Sequence, residues 1–328
     1  MSSIPEEIYH EILMRLPVKS ILACTSKVRT GIYDVGYDSF LKESEFDEAA
    51  AVEMHSSKSS NCTLRGSCNG LVLLSFYKKE LTFFQGELAD RYNLCLCLSN
   101  PATREYKELP ESPKLDSFER LVIYGFGYDY KNDDYKLFKI IMQTIPYWFS
   151  FVVTSGVLVP KALHWLVSSV GSKTRPSPNV IISLDISNER FDDMLLPKEL
   201  SEKRNMTVGV LESCLCVLHL KQDESDVWVM QEYGVQESWT KQYSITLGFH
   251  SKISYLRLIW SSKNGKMLLQ TNSGFFLYDL KNSSAIETTF GMSTYCDLAE
   301  NYVESLVSLN SNTQRKENQK KRKHEEEA

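Results

Sequence analysis

The residues best suited to do chemistry are a cysteine, a histidine and a group of aspartates. In "GSCNG", residues 66–70, Cys68 sits between glycines as a nucleophile would in an elbow, with a thiol in place of a hydroxyl. An elbow follows a strand and opens a helix. Here "LVLLSF" follows, a strand pattern, and no His/Asp partner set stands out, so the motif reads as a Gly/Asn turn entering a strand. His164 in "ALHWL" lies among strand residues and reads as a core or turn imidazole. Asp129, Asp133 and Asp134 crowd "YDYKNDDYK", residues 128–136, but the Gly and terminal Glu of an EF-hand loop are missing, which predicts a solvated hairpin turn. Six histidines and eight cysteines show neither H-x-x-x-H nor paired C-x-x-C spacing, so no metal and no cofactor is expected. Cys95/Cys97 and Cys214/Cys216 are i, i+2 pairs, which a strand turns to one face, as core thiols would be.

With 328 residues, 42% hydrophobic and 24% charged, the chain has material for a large core plus an appendage. A net charge of -5 argues against nucleic acid as the main ligand, since a phosphate backbone favours a concentrated basic face. No apolar run reaches the roughly 18 residues of a membrane span, and no basic segment leads into an apolar signal region. The expectation is an intracellular protein, cytoplasmic or nuclear, with reduced thiols.

The elements that must position these residues are mainly strands. A phrase repeats: a strand, an Asn or Asp, a polar turn, then a second strand, as in "LCLSNPATREYKELP", "IISLDISNERFDDMLLP" and "FFLYDLKNSSAIETTF". "DVWVMQEYGVQESWTKQYSI" has a related shape around Gly234. Aligning Asn100, Asp185, Val229 and Asp279 gives separations of 85, 44 and 50 residues, so the first gap fits two units of about 45. Further strands are predicted in "GLVLLSF", "LVIYGFGY", "YKLFKIIM", "ALHWLV", "VGVLESCLCVLHL" and "GKMLLQT". Four-stranded units of this period suit a β-propeller-like domain, and a β-sandwich is the alternative.

The N-terminus is different. In "IPEEIYHEILMRLPVKSI", residues 4–21, Ile4, Ile8, Ile12 and Leu16 recur every fourth residue with Leu13 beside them, the stripe of an amphipathic helix. It should start near Pro5 and break at Pro17, where a second helical stretch, "PVKSILACTSKV", is predicted. The domain reading is residues 1–42 helical, 43–65 a linker, 66–310 the β-domain and 311–328 a charged disordered tail. The β-domain is expected to fold alone. Lys320, Lys321, Arg322 and Lys323 in the tail read equally as a nuclear-import signal or a solvated run.

The opening segment resembles the first part of an F-box: Ile4, Pro5, Ile8, Ile12, Leu13, Leu16, Pro17, Lys19, Ser20 and Ile21 fill its places. The later phrases "GSCNGLVLL", "NPATREYKELP", "GFGYDYKNDDYK", "ALHWL", "SLDISNERF" and "DVWVMQEYGVQESWTK" are similar to the F-box-associated, kelch-repeat-like domain of plant F-box proteins, in the family's order. The resemblance implies a non-catalytic substrate receptor of an SCF-type ubiquitin ligase. A Skp-type adaptor, and through it a cullin, would bind Ile4, Pro5, Ile8, Ile12, Leu13, Leu16, Pro17 and Ile21, and the β-domain would hold a target protein. The chain departs from the family after "TSKV", passing to "RTGIYDVGYDSF" with no Trp before Trp148, so the second half of the F-box reads as shortened or replaced. That keeps a binding-only module with a degraded F-box as the alternative. A propeller enzyme is a third class, for which the sequence offers no coherent acid/base or metal set.

Overall fold

The computed structural model describes residues 20–25, 31–36, 52–53, 62–84, 87–110, 122–141, 145–149, 155–169, 178–222, 224–246, 253–272, 274–288 and 296–309. Among them the regular structure is strand, apart from one 3-10 turn at Gln236–Ser238. β1 (Ser20–Thr25), β2 (Gly31–Gly36) and β3 (Val52–Glu53) come first. β4 (Cys62–Cys68), β5 (Leu71–Phe84), β6 (Glu87–Asn100) and β7 (Glu105–Glu108) form a four-stranded antiparallel sheet. β8 (Val122–Asp129) pairs with β9 (Asp134–Ile141), and β10 (Tyr147–Phe149), β11 (Val157–Val159), β12 (Ala162–Ser169), β13 (Asn179–Asp185) and β14 (Arg190–Met194) make a five-stranded sheet. Two more four-stranded sheets follow: β15 (Met206–Leu211), β16 (Cys214–Leu220), β17 (Glu224–Met230) and β18 (Trp239–Thr246), then β19 (Leu256–Ser261), β20 (Lys266–Thr271), β21 (Phe275–Asp279) and β22 (Ser284–Thr288). The last sheet uses both ends of the chain, in the order β23-β1-β2-β3, with β23 at Cys296–Tyr302.

These six sheets of the described residues, four of them four-stranded, contact one another in a closed cycle. β4 meets β8, β8 meets β12, β12 meets β15, β15 meets β19, β19 meets β23, and β23 returns to β4. The fold is mainly β and β-propeller-like, not the two stacked sheets of a sandwich.

Burial explains the ring. Along β16, Cys216, Leu218 and Leu220 pack toward β19–β21, whereas Leu215 and Val217 point the other way, toward Leu166, Ile181 and Met194. Along β5, Val72, Leu74 and Phe76 join Leu64 and Tyr302, while Leu71 and Leu73 meet Tyr124 and Phe126 of β8. Each inner strand is therefore apolar on both faces and needs a neighbouring sheet on each side.

The turns follow from local chemistry. Asn69 and Gly70 have φ of 50° and 81° and join β4 to β5, the two-residue hairpin that an Asn-Gly pair favours. Asn100, Asp129, Asp185 and Asp279 each end a strand and open a four-residue turn. Their side-chain oxygens accept backbone N–H bonds from Ala102 (3.0 Å), Lys131 (3.0 Å), Asn188 (2.8 Å) and Lys281 (2.9 Å). The fourth turn residue in each, Arg104, Asp133, Glu189 and Ser283, has a positive φ.

The structure corrects the N-terminal reading. Where a second helix is predicted from Pro17, Ser20–Thr25 is β1, paired along its length with β2 and β23. "GIYDVG" is β2, so this part of the supposed F-box belongs to the ring. β3 and the start of β4 lie in the supposed linker. The alignment also shifts by one position, because Met230, paired with Trp239, stands where Asp279 stands opposite Ser284; Val229 does not. The predicted helix over residues 5–16 lies outside the described residues.

Since β1 supplies the neighbour of β23, a fragment beginning at residue 18 and ending at 309 should be more stable than one beginning at 58. We expect the shorter fragment to melt roughly 5–10 °C lower, the size of shift that a few kcal/mol produces in a domain of this length. Equal melting temperatures would mean that β1–β3 contribute nothing to the ring.

Candidate functional site

The innermost strands, among them β4, β11, β15, β19 and β23, line a cavity of about 830 Å³ on the axis of the ring. On its wall three parts of the cycle meet. Arg257 of β19 donates through Nη2 to Glu300 Oε1 of β23 at 2.7 Å and through Nη1 to the Ala299 carbonyl at 3.0 Å. The Ser155 hydroxyl donates to the same Glu300 oxygen at 2.6 Å, and Ser155 bridges Tyr124 of β8. Both charged side chains are largely buried, 14% and 11% exposed. Desolvating such a pair is costly, and the extra hydrogen bonds are what compensate it. These groups satisfy one another, so the arrangement fastens sheets together.

The rim at which β23 ends carries the Asn69–Gly70 hairpin and the four Asx turns. Beyond Tyr302 the chain crosses this rim. Asn100 Nδ2 donates to the carbonyls of Ser305 (2.9 Å) and Val307 (2.7 Å), and Glu105 accepts from the Leu309 N–H (2.9 Å) and the Ser308 hydroxyl (3.2 Å). Gly70 allows the crossing, since a Cβ there would stand 2.2 Å from Ser305 Cβ. On the same rim Asp129 is fully buried and accepts from Ser187 Oγ (2.5 Å), Asn132 Nδ2 (2.6 Å) and Lys136 Nζ (3.0 Å), tying the β8–β9 turn to the β13–β14 turn. The Ser187 hydrogen bond, with those of Lys136, Asn132 and the Lys131 N–H, holds its carboxyl well below the usual carboxylate range.

The residues with chemical potential are spoken for. Cys68 is buried at the end of β4, and burial pushes its thiol up to about 12, away from the thiolate a nucleophile needs. Cys97 and Cys216 are buried, with Cys95 and Cys214 partly buried beside them in the cores. His164 is buried, with Nδ1 3.1 Å from the Val157 carbonyl and Nε2 2.8 Å from the Tyr233 hydroxyl. Asp133 accepts from the Tyr128 hydroxyl, and Asp129 is a buried tie where a solvated turn is predicted. No group of three His, Cys, Asp or Glu among the described residues could hold a metal ion.

Of the expected adaptor-binding residues, Ile4, Pro5, Ile8, Ile12, Leu13, Leu16 and Pro17 lie outside the described residues, and Ile21 falls in β1 opposite Val35 and Asn301. Sequence reasoning missed Arg257, Glu300 and Ser155. The only signal was Arg257 inside the apolar stretch "YLRLIW"; "DLAENY", with two acidic residues and an Asn, does not mark out Glu300.

A ring of sheets fastened at its axis is a propeller-like fold. Residues 141–309 match the family described as the F-box associated beta propeller domain. The chain is 26% identical to the F-box protein CPR1 of Arabidopsis thaliana, over 98% of this chain and 94% of that protein. It is 28% identical to the F-box/kelch-repeat protein At3g23880 of the same plant, over 94% and 96%. A third Arabidopsis thaliana relative, the F-box protein At4g22390, is 28% identical over 65% of this chain and 64% of its own. The chain belongs to the plant F-box proteins that carry an F-box-associated β-propeller domain.

Two outcomes follow from the geometry. Arg257→Met should lower stability by about 3–5 kcal/mol, because the Glu300 carboxylate is left buried and unpaired, and Arg257→Met/Glu300→Leu should recover most of that loss in urea denaturation. A double variant as unstable as the single one would show that the pair is not coupled. Burial pushes the His164 imidazole down to about 4, against the opposing hydrogen bonds at Val157 and Ala162. Its stabilisation is therefore complete above the unfolded value of about 6.5 and is lost as pH falls toward 4, on the order of 3 kcal/mol in all. Urea midpoints measured from pH 7.5 to 4.5 should fall less for His164→Leu than for the native protein; parallel curves would contradict the shift.

Proposed function

We propose that the protein is the substrate-recognition subunit of an SCF-type ubiquitin ligase, which holds a Skp-type adaptor on the Ile4–Leu16 stripe and a target protein on the β-domain. The observation that carries the reading is the union, in one chain of this family, of an F-box pattern at the N-terminus with an F-box-associated propeller. An amphipathic stripe of this spacing suits a partner's apolar groove, and the stripe would supply the anchors. The protein's own residues carry out no bond-making. Its contribution is to bring the target near a transfer reaction that other subunits perform.

A second reading has an observation in its favour. The segment where the rest of an F-box would lie is β1 and β2, paired with each other and, through β1, with β23, which leaves only residues 1–19 for the adaptor. A module with so short a motif could bind its target without recruiting a ligase.

Titration of purified adaptor against three full-length proteins separates the readings: the native chain, Ile12→Asp/Leu16→Asp, and a chimera in which residues 1–19 are replaced by a complete F-box. The native chain should bind more weakly than the chimera, since a motif confined to residues 4–19 offers fewer contacts. The double substitution should weaken binding at least tenfold, because each carboxylate would have to leave water for an apolar groove. Equal binding by the native chain and the double variant would remove the stripe from the interface. Binding by the chimera alone would favour the binding-only module.

A further inference from the structure

The start of β1 sets where a partner held on the N-terminal stripe must stand. Ser20 pairs with Tyr302, the last residue of β23, and with Gly36, the last of β2. Only Pro17, Val18 and Lys19 separate it from Leu16, so the stripe ends within about 14 Å of Ser20 even with the link fully extended. Tyr302 lines the mouth of the axial cavity together with Asn69, Gly70, Ser213 and Asn264, which places Ser20 at the Asx-turn rim. The segment that crosses this rim after Tyr302 presents Leu306, 88% exposed. The opposite rim carries the described connection from β14 to β15, residues 195–205, and the start of β17 at Glu224.

Resting on the adaptor reading above, we propose that the partner gripping the Ile4–Leu16 stripe docks against the Asx-turn rim around Leu306 with β1 left in the ring, so that the opposite rim is the face left for the target. Retaining β1 follows from its position. It is an inner strand with ladders on both sides, and its withdrawal would strip β23 and β2 of hydrogen bonds at once. The partner's grip therefore ends before Ser20, and Ile21 belongs to the ring. What a second F-box helix would normally contribute is replaced by a rigid surface a few residues away.

Two measurements on the full chain test this, with purified Skp-type adaptor as the probe. The first locks β1 in place. Ala23 lies directly opposite Ala299, and antiparallel partners have the Cα separation of a disulfide, so Ala23→Cys/Ala299→Cys can be oxidised and the bridge verified by mass spectrometry. The second places a photo-crosslinking residue at Leu306 or, on the opposite rim, at Glu224. We expect oxidised and reduced forms to bind adaptor within twofold of each other, and adaptor to crosslink from position 306 and not from 224. A tenfold or greater loss of binding on oxidation would mean that β1 has to leave the ring. Crosslinking from 224, or from neither position, would mean that the adaptor does not stand at this rim. Either result overturns the docking proposal while the adaptor reading survives, because binding by the reduced protein is seen in the same experiment. If the reduced protein binds no adaptor, the reading falls and the docking proposal with it.

Discussion

The inner strands of this chain have no polar face to give to water, and most of the architecture follows from that. Leu215 and Val217 look toward one neighbouring sheet while Cys216 and Leu218 look toward the other, and β5 and β13 divide their side chains in the same way. Leaving such a strand half covered would expose several large side chains, each worth about 1.5–3 kcal/mol when buried. A stack of sheets that must be covered on both sides can only continue or close on itself. Here it closes, and the innermost strands then crowd toward a common axis. The Arg257–Glu300–Ser155 contact sits at that crowded point. Its net contribution to stability is modest beside the cores, because desolvation offsets most of the attraction, but its directional bonds set which parts of the ring meet there.

Much of this was legible in the sequence. Hairpins could be read because a short-range device, an Asx side chain capping a four-residue turn, recurs at Asn100, Asp185 and Asp279. The device fails in the β17–β18 hairpin, where Met230 occupies the Asx position and Gly234 with a 3-10 turn does the reversing. That is why an alignment on Val229 falls one residue early. Asp129 uses the same turn, but its sheet stops at two described strands and so breaks the period. Its burial was not legible, since the Ser187 that covers it is 58 residues away, and Arg257 is likewise 43 residues from Glu300. Polar ties of this kind leave no local pattern. Only the fold brings the partners together.

The N-terminal misreading has a different cause. Pro17 followed by spaced apolar residues is a sound start signal for a helix, and the two glycines in "GIYDVG" argue only against a long further helix. Yet β1 takes its conformation from pairing with β23, at the far end of the chain, and β2 in turn from pairing with β1. Tertiary demand overrode local propensity, as it does most readily in strands. The consequence is functional, for the residues that seemed to be the remnant of an F-box are part of the β-domain.

That fusion matters for a receptor. In a protein whose adaptor-binding helices and target-binding domain are joined by a flexible linker, the distance between partners is a distribution, and the effective concentration at the transfer site is set by linker length. Here three residues lie between Leu16 and a strand at the centre of a sheet. If the stripe holds the adaptor, the spread of adaptor positions relative to the ring is limited to the play in Pro17, Val18 and Lys19, and Pro17 has a fixed φ. A short motif gives up contact area and with it affinity, but the same shortening removes a hinge. Orientation would then be imposed by the fold, with the axial contact holding the rims in register and the Asx turns keeping the near rim stiff.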